Sequence, residues 1–135
     1  MRRHPAPYLL LACLFVAACD ESPLRPSAVR DVTWKLESIE RAGAATVTIP
    51  NPERFTLRLE ADGRANAGAD CNTCNGRYTL DGASIAFTGF ACTRAFCGTT
   101  LDTAYASALG EVRAIVVSET ALVLTGPGVT LRYRN

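Results

Sequence analysis

From residue 31 onward, apolar and polar positions alternate with period two over most of the chain. Val32, Trp34 and Leu36 alternate with Thr33, Lys35 and Glu37. Val47 and Ile49 alternate with Thr46 and Thr48, and Phe55, Leu57 and Leu59 alternate with Thr56, Arg58 and Glu60. Successive strand side chains point to opposite faces, so these runs read as strands with one wet face. Asp62-Gly63 follows the third run. Asp81-Gly82 separates Tyr78 and Leu80 from Ile85 and Phe87, and both dipeptides are hairpin signals. The period then changes. Leu101, Ala104, Tyr105, Ala108 and Leu109 form one apolar stripe at helical spacing, with Thr99 and Asp102 as a capping-box-like start and Gly110 as the C′ residue. Short apolar runs resume at Ile115–Val117, Leu122–Leu124 and Val129–Tyr133, the last two joined by a Gly126-Pro127-Gly128 turn. The pattern predicts an α+β, mainly β fold. It is a curled antiparallel sheet of about seven or eight short strands, with one helix near residues 99–110 covering one side.

The chain has 135 residues, enough for one domain with a modest core. Hydrophobic content of 48% against 20% charged residues places it among folded chains and not disordered ones. The net charge is +1 and the basic residues are dispersed, so the electrostatic footprint of a nucleic-acid binder is missing.

The N-terminus predicts the compartment. Arg2 and Arg3 precede an apolar stretch from Leu9 to Ala18, too short to span a bilayer but suited to a signal peptide. A buried helix is the rival reading, and the flanks do not suit it. Val16-Ala17-Ala18-Cys19 resembles a bacterial lipobox, which implies cleavage after Ala18 and lipidation of Cys19. Several acyl chains on one residue give stable anchoring, where a single chain is marginal. Simple secretion with cleavage near Ala18 is the alternative. The expected organisation is therefore a signal peptide over 1–18, a lipidated cysteine and flexible tether over 19–30, and a domain over 31–135. The expected location is the bacterial cell envelope, with a membrane contact through the lipid and the domain facing the periplasm or exterior. The single histidine, His4, lies in the segment expected to be removed. The mature chain would then lack Ser-His-Asp and Cys-His catalysis and histidine-containing metal sites.

Cys71, Cys74, Cys92 and Cys97 remain, spaced C-x2-C and C-x4-C. Three chemistries compete. The outline is that of a four-cysteine zinc ribbon, although the second pair has the wrong spacing. A thioredoxin-like redox motif would need a helix after Cys71-Asn72-Thr73-Cys74, and Asn75-Gly76-Arg77 is turn chemistry instead. An oxidising compartment and an even count favour disulfides.

The ordered set of Trp34-Lys35-Leu36, the 56–64 segment, Cys71-Asn72, Gly76-x-Tyr78, Thr93-Arg94, Cys97, the Tyr105 helix and Leu122-Val123-Leu124 resembles the META domain, or HslJ-like, family. The resemblance spans about residues 31–134 and implies a compact antiparallel sheet with one helix. Many members are envelope lipoproteins or secreted proteins, and some are linked to heat stress, antibiotic tolerance or virulence. It supplies no catalytic residues. This chain departs from the pattern at Ala95-Phe96-Cys97, where Met-Ala-Cys is usual. Cys74 and Cys92 look like additions to a usual pair, Cys71 and Cys97. If segments 71–78 and 90–97 run antiparallel, the pairing is nested: Cys71–Cys97 and Cys74–Cys92. The family points the same way for the outer bond, worth roughly 3.5 kcal/mol in the chain-entropy model.

Asn72 and Arg94 are candidates either for ligand binding or for bracing the loop. In the bracing reading, Asn72 caps a turn and Arg94 pairs with Asp70 or Asp102. Glu60, Asp62, Asp70 and Asp81 are available for carboxylate chemistry, but no spacing singles out two of them. The glycines form no phosphate loop. The chain is therefore expected to be a non-catalytic binding, interaction or envelope-stress module without metal or cofactor, taking a protein or small-molecule ligand. A four-cysteine metal domain and a carboxylate- or thiol-based periplasmic enzyme are the alternatives.

Overall fold

The first strand, β1 (Thr33–Arg41), buries Trp34, Leu36 and Ile39 and leaves the residues between them facing solvent. A computed structural model describes residues 25–135. The expected signal peptide, Cys13 and Cys19 lie outside the described residues. Among the described residues, eight further strands follow: β2 (Val47–Thr48), β3 (Phe55–Leu59), β4 (Arg64–Ala69), β5 (Asn72–Asp81), β6 (Ser84–Cys92), β7 (Ala114–Val117), β8 (Ala121–Gly126) and β9 (Val129–Arg134). Two helices, α1 (Pro26–Val29) and α2 (Leu101–Glu111), complete the fold with a single turn of 3-10 helix at Pro52–Arg54.

All nine strands belong to one antiparallel sheet, which closes on itself. The N-terminal half of β1 pairs with β3 and its C-terminal half with β2, while its other edge pairs with β9 from Lys35↔Arg134 to Arg41↔Val129. The remaining strands follow in sequence order as a meander. Closure removes most of the free edge that an open sheet would leave. The weak seam lies between β6 and β7, which share the single register pair Ser84↔Ala114. The chain leaves the sheet there to form α2, which packs against β4, β6 and β9. Trp34, Leu57, Leu122, Leu124, Leu131 and Tyr133 fill the interior, and α2 adds Tyr105, Ala108 and Leu109. The barrel is thus packed with side chains, as a small barrel must be.

The structure departs from the sequence-based expectations in four places. The tether expected over residues 19–30 does not extend through α1: Val29 is fully buried, and its carbonyl accepts the Trp34 Nε1–H at 3.1 Å. β4, with the sequence RANAGA, lacks the bulky apolar alternation of β1 and β3. Its inward residues are Ala65, Ala67 and Ala69, and their small size lets α2 approach. Asn75-Gly76-Arg77 is no turn, because β5 continues through it with a bulge. A Cβ on Gly76 would lie 2.6 Å from the Phe90 ring, so only glycine fits under that ring. Finally, Gly110 is inside α2 and not beyond it, and the expected capping box is not formed. Thr100 is the N-cap without a side-chain bond, and Asp102 is used elsewhere.

Candidate functional site

The C-x2-C spacing takes on meaning once it lies at the start of a strand. Three residues apart in extended chain means opposite faces. Cys74 points inward and is 1% exposed, while Cys71 is exposed. The two therefore cannot bond to each other, and each finds a partner on its own side. Cys74 sits directly across from Cys92 in the β5–β6 register and joins it, with Cα atoms 4.0 Å apart. Cys71 joins Cys97 across a 5.5 Å Cα separation, tying the start of β5 to the loop that leads into α2. With the four sulfurs bonded in pairs, none is a thiolate ligand, and the zinc-ribbon alternative is not what these cysteines form.

Between Cys71 and Cys74, Asn72 is the one buried polar residue among those described. It is 3% exposed and sits in a strand, so it is not the left-handed turn cap expected from sequence; that backbone conformation belongs to Asp70 (φ 60°). Both ends of the Asn72 amide are engaged. Its Oδ1 accepts from the Thr93 hydroxyl at 2.9 Å and from the Ala95 N–H at 2.8 Å. Its Nδ2 donates to the Ala95 carbonyl at 2.9 Å and to Asp102 Oδ2 at 3.0 Å. One side chain thus ties β5, the 93–97 loop and α2 together. Arg94 does not brace the loop as expected. Asp70 pairs instead with Arg54 at 2.8 Å, Asp102 is held by Asn72, and Arg94 is exposed without an ion pair among the described residues.

Residues 93–100 and the first turns of α2 enclose a half-open groove of about 770 Å³. Its floor includes Ala69, Asn72 and Ala106, and its walls carry Thr99, Thr100 and Thr103. Phe96 stands at the rim with 90% of its surface exposed, beside Arg94. In the sequence Phe96 stands out only as a departure from the META pattern. The usable signal was an aromatic next to a cysteine in a short loop of Gly and Thr, where nothing nearby can bury it. Behind the groove, the Tyr105 hydroxyl donates to the Thr56 carbonyl, and the Tyr133 hydroxyl donates to Tyr105, each at 3.1 Å. Burial pushes both phenols well above their ordinary value.

The other carboxylates do not converge here. Glu60 and Asp62 lie at the opposite end of β4 and hold Arg64, with Asp62 Oδ2 2.7 Å from Arg64 Nε. A backbone N–H from Arg64 draws the Asp62 carboxyl below its usual range, aided by the Arg64 guanidinium. Among the groove's lining residues, Asp102 is the one carboxylate. The described residues contain no cluster of His, Cys, Asp and Glu suited to a metal ion, and no helix among them is long and apolar enough to cross a membrane.

A closed antiparallel meander, one helix across its seam and a cysteine-tied loop define a small, side-chain-filled β-barrel. The META domain family profile matches residues 27–135, and the chain belongs to that family. None of the curated proteins matches it. Among solved structures, it is similar to a protein from Burkholderia xenovorans, with a TM-score of 0.66 and 22% identity over 99% of this chain and 97% of that one. A DUF4847 family protein from Bacteroides vulgatus aligns with a TM-score of 0.62 and 12% identity, over 80% of this chain and 94% of its own. A lipocalin-like protein from Bacteroides uniformis aligns with a TM-score of 0.57 and 17% identity, over 80% and 98%. At these identities the likeness is one of fold.

Proposed function

We propose that this protein is an envelope lipoprotein whose META domain is a non-catalytic binding module, with the groove between residues 93–100 and α2 as its ligand site. The observation that carries the reading is the contrast between the groove's frame and its rim. The frame is held by two disulfides and the Asn72 network, while the rim presents Phe96 and Arg94 to solvent with no partner among the described residues. A preorganised surface binds without the ordering cost that a floppy loop would add. Such a rim suits a ligand, on a protein or a small molecule, that offers an apolar group to Phe96 and an anionic group to Arg94. Acid–base catalysis by paired carboxylates is disfavoured because Asp102 stands alone in the groove and is already bonded to Asn72. The lipobox-like Val16-Ala17-Ala18-Cys19 supports anchoring by lipid on Cys19.

Two measurements test this. A fragment screen by NMR, using aromatic and aliphatic carboxylates, should shift resonances between residues 93 and 106. The shifts should vanish in the double variant Phe96→Ala, Arg94→Ala with its melting temperature unchanged. Absence of any binding in that region, or a turnover activity lost in Asp102→Asn, would overturn the binding reading. For the anchor, the full chain expressed with its leader should fractionate with membranes, and its N-terminal peptide should begin at an acylated Cys19. Recovery of a soluble product cleaved near Ala18 without lipid would replace anchoring with secretion.

A further inference from the structure

The two sulfurs of the outer disulfide stand in different surroundings. Cys97 Sγ receives the backbone amide of Cys71 at 3.3 Å, and at 3.2 Å it shares Asn72 Nδ2 with the Ala95 carbonyl and Asp102. Cys71 Sγ receives no N–H donor from the described residues. The Ala95 carbonyl lies near both, 3.6 Å from Cys97 Sγ and 3.8 Å from Cys71 Sγ, so it does not tell them apart. Cys71 is exposed and Cys97 half-buried. In the inner disulfide, Cys74 is 1% exposed and closed to a reagent.

In thiol–disulfide exchange, a thiolate attacks one sulfur and the other departs as a thiolate. The rate rises as the departing thiolate becomes more stable. Hydrogen bonds donated to a sulfur stabilise its anionic form. Exposure and leaving-group stabilisation therefore select the same direction here. We infer that Cys71 is a thiol-modification site. An external thiolate, a small-molecule or protein thiol, forms a bond to Cys71 Sγ, the Cys71–Cys97 bond breaks, and its electron pair goes to Cys97 Sγ. The Cys97 thiolate is held by the Cys71 amide and the Asn72 side chain. No proton is transferred in the step, because the attacking thiol has already lost its own to solvent. The product is a mixed disulfide on Cys71, with Cys74–Cys92 intact. The loop that forms the groove wall then loses its covalent tie to β5 but keeps its Asn72 bonds. This inference rests on the surroundings of the two sulfurs and not on the binding reading.

The test is a partition measurement on the folded full chain. The protein is exposed briefly to excess glutathione without denaturant, quenched with acid, alkylated and cut with trypsin. Cleavage after Arg64, Arg77 and Arg94 leaves Cys71 and Cys74 on one peptide and Cys92 and Cys97 on two others. The expected product is the 65–77 peptide carrying glutathione on Cys71 and still bridged to the 78–94 peptide, with Cys97 alkylated. It should exceed the reverse adduct on Cys97 several-fold. In denaturant the preference should collapse, since the donors are gone. An even or reversed partition in the folded chain, the same preference in denaturant, or no exchange without unfolding would each overturn the inference. Asn72→Ser, if folded by circular dichroism, should narrow the preference; an unchanged ratio would also count against it.

Discussion

The two ends of the β4–β5 hairpin solve the same problem by different means. At one end the chain passes from β3 to β4 through Asp62-Gly63, with Gly63 at positive φ and Arg64 held by Glu60 and Asp62. The Tyr78 hydroxyl donates to the Glu60 carbonyl and accepts from Arg30, and turn chemistry with side-chain hydrogen bonds suffices. At the other end, about 17 Å away along β4, the 93–100 loop has no apolar residue buried in the core. With no hydrophobic burial to hold it, that loop relies on a disulfide and on one amide that satisfies several backbone and side-chain groups. A regular turn needs only local signals, whereas an irregular loop above a groove needs long-range anchors.

The contrast can be broken in stages. The largest effect is expected in alkali. Tyr105 and Tyr133 fasten α2 behind the groove, and their folded-state phenol values are raised. The unfolded chain releases these protons first, so their contribution is complete below pH 10 and is lost as pH rises above it. Chemical denaturation should show level stability up to about pH 10 on this account and a steep fall beyond it. A tyrosine absorbance titration complete before unfolding would contradict the buried pair.

Next comes Cys74→Ser, which removes the inner disulfide and places a hydroxyl in the core. A loss of roughly 3–5 kcal/mol is expected, measured by urea unfolding. Asn72→Ala should cost about 2–4 kcal/mol by leaving the Ala95 N–H and Asp102 without their partner. It should also speed amide exchange across residues 93–100 while leaving residues 60–64 unchanged; equal acceleration at both ends would erase the comparison. Cys71→Ser should cost about 2–3 kcal/mol, below the figure for an isolated loop because Cys74–Cys92 still restrains the chain, and less than Cys74→Ser because its new hydroxyl faces solvent and not the core. Arg64→Ala, at the opposite end, should cost less than about 1 kcal/mol, as exposed ion pairs do.

The elements that could be recognised from sequence were those whose signals are local. The β1 and β3 alternations, both Asp-Gly turns, the Gly126–Gly128 turn and the Tyr105 stripe each lie within a few residues. β4 stayed hidden because its identity depends on α2. Alanine is a poor strand former by itself, and only the helix pressed against it explains the choice. α1 stayed hidden because a four-residue segment around Pro26 gains its place from Val29 reaching the core, a contact no window of sequence contains. The site followed the same rule. Cysteine spacing restricted the outer bonding to a few possibilities, but Asn72 as a buried hub and Arg94 as an exposed cation depended on which residues the register brought together.

By itself, then, the order of residues determined a mainly β chain with one helix, its hairpin turns and four cysteines suited to cross-linking, because period, turn chemistry and thiol count act over short distances. Tertiary structure alone decided that the sheet closes through β1 and β9, that Cys74 faces inward and Cys71 outward toward their separate partners, and that Asn72 rather than Arg94 braces the loop. Those outcomes depend on register and packing between segments tens of residues apart, and a one-residue shift in the pairing of β5 would have turned Asn72 and Cys74 to the other face.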